Sequence, residues 1–190
     1  MVLFLIFTSL LVLQRVMELI VAKRNEMKMK QLGAVELGQE HYVYIVLLHS
    51  FFFISFIVEV VLTGYRLSPL ASILFVMFIF LQALRIWTIR SLGMFWNTKV
   101  IILPDANVVK RGPYHFLRHP NYVIVALEIV IIPILFNAYV TAILFSVLNS
   151  LLLTFVRIPF EEKALSDQSN YSNAFASTPK FLPQTTKRQR

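Results

Sequence analysis

Three stretches of the chain, residues 1–22, 42–63 and 69–90, stay apolar long enough to cross a lipid bilayer as helices. A helix rises about 1.5 Å per residue, so roughly 20 apolar residues cover a hydrocarbon core of about 30 Å. Two further apolar runs, 122–136 and 139–158, are separated only by Phe136-Asn137-Ala138 and predict a tight helical hairpin. Its first arm is short, with Pro133 near the end. The pattern therefore predicts five spans and an all-α, polytopic membrane fold. The first run has no charge ahead of it and Lys23, Arg24, Lys28 and Lys30 behind it. That is the reverse of a cleavable secretory signal, so the run reads as a retained span.

The polar intervals carry the basic residues unevenly. Of 18 Lys and Arg, four lie in 23–41, four in 91–121 and five after residue 158, against one (Arg66) in 64–68 and none in 137–138. The positive-inside rule then sets the N-terminus outside and the three basic segments in the cytoplasm. The net charge of +8 reflects this topology and does not call for nucleic acid as a partner. With 57% hydrophobic and 15% charged residues, lipid is the main solvent. The absence of cysteine excludes disulfides, thiolate nucleophiles and Cys-based zinc sites. Residues 1–183 read as a single membrane domain, with 184–190 a disordered basic tail.

Ionisable residues inside spans are functional candidates by default. Arg15 and Glu18, three apart, can pair on one helical face. Glu59 lies near the outer end of the second span, within reach of the interface. Glu128, about two turns into the fourth span, should face the bundle toward Arg85 or Arg157. At the inner end of the fifth span stands "FVRIPFEEKAL", residues 155–165. Arg157 and Glu161 share a face there if the helix continues, although Pro159 favours a kink. Arg157, Arg85 and Glu128 are the candidates for the chemistry itself. His115 and His119 have the spacing of zinc ligands on a helix. His119 precedes Pro120, however, and is biased away from helical geometry, and no third ligand is evident, so no metal is expected.

The densest chemistry sits in "RGPYHFLRHPNY", residues 111–122. Pro113 and Pro120 break it into turns, Gly112 permits conformations that other residues avoid, and Arg118 and His119 supply donors. Tyr114 and Tyr122 add aromatic faces with hydroxyl tips, and the carboxylates of Glu161 and Glu162 lie in the same compartment. This set suits a small charged ligand with an aromatic base and a ribose, presented to something dissolved in the bilayer. It does not separate a methyl donor from a dinucleotide.

The run from Val109 to Tyr122, with "LRIWTIRSLGMFWNT" at 84–98 before it and "EEKAL" at 161–165 and "PKFLP" at 179–183 after it, resembles the isoprenylcysteine carboxyl methyltransferase family and its phospholipid methyltransferase relatives. The likeness covers roughly residues 80–183, and the first two spans look like those of short bacterial members. It implies S-adenosylmethionine as cofactor, held by Arg118, His119, Pro120, Tyr122, Glu161 and Glu162, with Gly112, Pro113 and Tyr114 shaping the pocket. It also implies a lipophilic acceptor at the cytoplasmic membrane face. Short bacterial members look like O-methyltransferases of alkylpyrone-like polyketides, so an acidic enol or a lipid carboxylate is the expected acceptor. Arg157 or Arg85 would hold its charge. Alternatives are carboxyl methylation of an isoprenylated cysteine on a protein, an NADPH-dependent enzyme similar to membrane sterol reductases, and a non-enzymatic adaptor. Two departures from the family pattern stand out. Ile124 replaces a frequent glycine, and "SDQSNYSNAF" at 166–175 keeps only Tyr171 of the usual aromatic pattern.

Overall fold

The computed structural model describes residues 1–181; the basic tail and the end of "PKFLP" lie outside them. Six helices carry the fold: α1 (Val2–Gln31), α2 (Gln39–Thr63), α3 (Ala71–Leu92), α4 (Pro120–Leu135), α5 (Tyr139–Leu152) and α6 (Ile158–Gln168). Within the described residues, four helical stretches are long and apolar enough to cross a membrane: Val2–Gln31, Gln39–Thr63, Ala71–Phe95 and Tyr139–Gln168. The hairpin arm Pro120–Leu135 is apolar but shorter. The all-α, polytopic character expected from the hydrophobic pattern is what the chain adopts.

Two elements differ from expectation. The interval after the first span is not a loop, because α1 runs on to Gln31. Its charged residues favour helix: Lys30 donates to Glu26 one turn back at 2.7 Å, and Lys23 pairs with the same carboxylate at 3.2 Å. Helix stops only where Gly33 takes φ +93°. Beyond it a two-stranded antiparallel ribbon forms, β1 (Val35–Leu37) against β2 (Val100–Ile102), with Glu36 opposite Ile101. Lys99 and Lys30 bridge Glu26 and Glu36 across it at 2.6–3.4 Å. The ribbon ties the connection before α2 to the long connection after α3.

The opposite end of the bundle is stitched by short turns. Phe4, Phe56 and Phe136 meet there with ring centroids 5.1–5.7 Å apart. Glu59, expected to reach the interface, instead caps a helix: its two carboxylate oxygens accept from the Val140 and Thr141 amides at 2.9 and 2.7 Å. The first turn of α5 offers orphan N–H groups, and a carboxylate there satisfies them and faces the positive end of the helix dipole. The 136–138 hairpin turn forms as predicted, with Asn137 at φ +58°.

At Pro159 the helix does not break. The turn just before it, Leu153–Arg157, widens into a π-helical turn, and α6 starts at Ile158. A proline lacks the N–H donor and crowds the carbonyl four residues back, and the wider turn absorbs both effects. This turn leaves Arg157 buried and directed inward.

α1 and α2 meet through Phe4 and Phe56 at one end. Val12, Val16 and Leu19 of α1 and Val46 of α2 line the interior cavity yet are 44–50% exposed. The flank of the cavity between these residues is apolar and partly open.

Candidate active site

The connection between α3 and α4 folds back on the end of α3. Arg111 donates from Nε to the Ser91 carbonyl at 2.8 Å, and Gly112 turns at φ +59°. A Cβ at Gly112 would drive into the Ser91 hydroxyl and against the Trp87 indole, so only glycine fits. Pro113 and Tyr114, both buried, follow in one 3₁₀ turn. His119 takes the non-helical cap position (φ −125°, ψ 58°) and Pro120 opens α4, where a missing N–H does no harm.

This geometry brings most of the sequence-selected residues together. His119 Nε2 lies 3.2 Å from Glu162, Lys180 reaches the same carboxylate at 2.6 Å, and Arg118 stands at 3.6 Å. The Tyr122 ring stacks on His119 with centroids 5.3 Å apart. The Tyr122 hydroxyl donates to Glu161 and accepts from Arg157 Nε at 2.9 Å, while Arg157 Nη2 donates to the Thr98 carbonyl at 3.0 Å. Arg157 and Glu161 share a face, 3.3 Å apart, because the helix continues past Pro159. The "TPKF" stretch completes the wall: the Arg118 and His119 amides donate to the Pro179 and Lys180 carbonyls at 3.0 and 3.4 Å.

Glu128 faces the bundle and meets Arg85, one of the two partners expected for it, in an ion cluster apart from Arg157. Arg85 grips Glu128 through Nε and Nη2, Arg15 donates to Glu128 at 2.6 Å and to Glu18 at 2.8 Å, and Arg85 reaches Glu18 at 3.2 Å. Gln82 donates at 2.7 Å to Glu128 Oε1, the oxygen that also accepts from Arg85 Nε. Two guanidinium groups balance two carboxylates, and Arg85 and Glu128 are each only 2% exposed. His115 does not join His119; it sits edge-on against Phe116.

One cavity of about 630 Å³ reaches both regions, bounded by Tyr114, His119, Tyr122, Arg157 and Glu161 at its polar end and by Arg15 and Arg85 deeper in. Its wall includes side chains that the sequence alone did not single out. Trp96 Nε1, Asn97 Nδ2 and Asn121 Oδ1, and with them the hydroxyl of the already noted Tyr171, are buried without a hydrogen-bond partner among the described residues. Leaving such groups unpaired is costly, so they point to a polar ligand. Burial pushes the Tyr114 and Tyr171 phenols up, and both stay protonated at neutral pH. The donor set combines carboxylates, aromatic faces and amides, which fits a charged nucleoside with an amino-acid end. The only sequence signal for Trp96, Asn97 and Asn121 was proximity to the selected motifs.

Residues 72–167 match the isoprenylcysteine carboxyl methyltransferase (ICMT) family. The chain is similar to the uncharacterized protein YpbQ of Bacillus subtilis (strain 168), 44% identical over 166 residues, which covers 87% of this chain and 98% of that protein. It is also similar to an uncharacterized protein of Haemophilus influenzae, 26% identical over 153 residues, covering 80% and 88%. The match sets aside the NADPH-dependent and adaptor alternatives, since the family transfers methyl groups from S-adenosylmethionine. The chain belongs to the isoprenylcysteine carboxyl methyltransferase family and is an S-adenosylmethionine-dependent methyltransferase of the membrane.

Proposed function

We propose that the chain methylates an anionic oxygen on a lipophilic acceptor that reaches the cavity through its apolar, partly open flank. The observation that carries this reading is the cavity itself, with charged and aromatic groups at one end and that flank along its side. Gly112, Pro113, Tyr114, Arg118, His119, Pro120, Tyr122, Glu161 and Glu162 would hold the methyl donor. When bound, S-adenosylmethionine supplies an electrophilic methyl group on a sulfonium.

The chain's own part is orientation and charge. Glu162 is fixed by Arg118, His119 and Lys180, and so offers one stiff wall. Glu161 holds the Tyr122 hydroxyl proton, which leaves that oxygen free to accept from Arg157. Arg157, tethered at Nε and Nη2, presents its remaining N–H groups to the acceptor's negative charge. Holding two reactants in line is worth roughly 7–11 kcal/mol in the best cases. Arg85 and Glu128 are assigned to holding α1, α3 and α4 in register.

Among acceptors, the family match favours the carboxyl group of an isoprenylated cysteine over the alkylpyrone-like enol or other lipid carboxylate suggested by the short bacterial members. The second reading keeps one support, that the open flank admits a small lipid sideways. Purified enzyme in mixed micelles, given a farnesylcysteine analogue and an alkylpyrone, decides. Turnover of the first is expected. Turnover of the alkylpyrone alone would move the acceptor to the second reading and leave methyl transfer standing.

Donor binding has its own measurement. His119→Ala and Glu162→Gln should each weaken S-adenosylhomocysteine binding by about 1–3 kcal/mol in calorimetry, since each removes a group assigned to hold the donor. Unchanged affinity in both would move the donor site elsewhere.

The basic segments argue for an orientation with five spans, the N-terminus outside and the donor site cytoplasmic. The chain has no cysteine, so single cysteines can be read cleanly. An impermeant thiol reagent on intact cells should label Arg66→Cys and spare Lys28→Cys and Asp105→Cys. Strong labelling of Asp105→Cys would invert the topology.

A further inference from the structure

Arg157 alone does not fix the plane of an anionic acceptor. A carboxylate held through one oxygen can turn about its bond to carbon, so its second oxygen needs a donor of its own. The wall opposite Arg157 supplies one from α2. This helix starts against the first turn of α6. The Gly38 backbone lies so near the Phe160 ring that a Cβ would collide with it, and His41 meets the same ring edge-on at 5.1 Å. Phe160 stands directly before Glu161, so the contact brings Tyr42 to the polar end of the cavity. Tyr42 lines that end together with Thr98, Lys99 and Arg157.

The Tyr42 hydroxyl lies 3.3 Å from Thr98 Oγ1. Thr98 also receives Arg157, through its carbonyl at 3.0 Å. One residue thus anchors both the phenol and the guanidinium. Lys99 Nζ, paired with Glu36 at 2.9 Å, sits 5.9 Å from the centre of the Tyr42 ring and limits its swing. Two hydroxyls that meet share one hydrogen and keep one to spare. Neither oxygen has another partner among the described residues. Whichever of the two donates to its neighbour, one O–H remains for a ligand. It is uncharged, so it adds direction where Arg157 adds charge.

We infer that the Tyr42–Thr98 hydroxyl pair is a second donor site for the acceptor, and binds the carboxylate oxygen that is not methylated while Arg157 holds the group's charge. The other oxygen is then left pointing in one direction. As it takes the methyl group, its new O–CH3 bond replaces the S–CH3 bond of the donor, whose electron pair stays on sulfur. The held oxygen becomes the ester carbonyl. The site joins the two parts of the chain, since Tyr42 lies ahead of the family match and Thr98 within it. This inference rests on the proposed reading that an anionic acceptor meets Arg157.

Binding without turnover tests it. Detergent-solubilised protein saturated with S-adenosylhomocysteine is titrated with a farnesylcysteine analogue and with the matching alcohol, in which CH2OH replaces the carboxylate. Wild type should prefer the acid. In the double variant Tyr42→Phe with Thr98→Val that preference should fall roughly tenfold, the worth of a hydrogen bond to a charged group. Tyr42→Phe alone, which leaves the Thr98 hydroxyl unbraced, should fall in between. A merely structural role would weaken acid and alcohol alike. An unchanged preference in the double variant, shown to be folded by its S-adenosylhomocysteine binding, therefore overturns the site and leaves the anionic acceptor standing. Should the double variant not fold, Tyr42→Phe decides on the same terms. Equal binding of acid and alcohol by wild type would remove the anionic acceptor, and the site with it.

Discussion

Glu128→Ala is expected to yield protein that inserts poorly and unfolds far more readily than wild type in detergent. Glu128 accepts from Arg85, Arg15 and Gln82 at a site 2% exposed, and its removal leaves two guanidinium groups facing one carboxylate. Breaking a buried pair by deleting one partner typically costs about 3–5 kcal/mol, a large share of the roughly 5–15 kcal/mol that keeps most domains folded. The double variant Arg85→Met with Glu128→Leu removes equal and opposite charge and leaves Arg15 with Glu18. It should recover much of the loss, since apolar replacement of a whole buried pair is often neutral. Unfolding curves of the three proteins measure this directly. A single variant as stable as wild type would mean that water or a counter-ion reaches the cluster.

Arg157→Ala should separate catalysis from donor binding. Arg157 anchors the Tyr122 hydroxyl and the Thr98 carbonyl, and under the proposed function it also meets the acceptor's charge. Loss of one preorganised donor aimed at reacting charge costs on the order of 10²–10³ in turnover in other enzymes. Turnover should fall by about 10²-fold, with S-adenosylhomocysteine affinity changed by less than about 1 kcal/mol. Arg157→Lys keeps the charge without the fork geometry and should fall in between. A parallel collapse of donor affinity in Arg157→Ala would place the arginine in the donor's pocket instead.

The parts of this molecule governed by local rules were legible in the chain. Hydropathy marked the helical runs, Pro120 marked His119 as non-helical, and the four-residue spacing of Arg157 and Glu161 survived as a contact. What depended on distant partners was not legible. Glu59 looked like an interface residue because its partners, the Val140 and Thr141 amides, lie some 80 positions away. Arg85 was weighed as a ligand for the acceptor, although the fold supplies Glu128 and Glu18 to neutralise it. Tyr42 opens an apolar run, and its partner Thr98 lies 56 positions away. The ribbon of β1 and β2 was invisible because three-residue strands leave almost no alternation to read.

That ribbon bears on how separable the two halves of the molecule are. The family match begins at residue 72, as though the first two helices were an accessory. Yet Val100, Ile101 and Ile102 are paired with Val35, Glu36 and Leu37, and Thr98, just before them, receives Arg157. An excised second half would bare a β-branched strand edge, a template for self-association, beside the very residues that brace the reaction centre. The matched region is therefore not a transplantable module: a chimera or minimal enzyme built from it must bring residues 35–37 along, or supply another strand in their place.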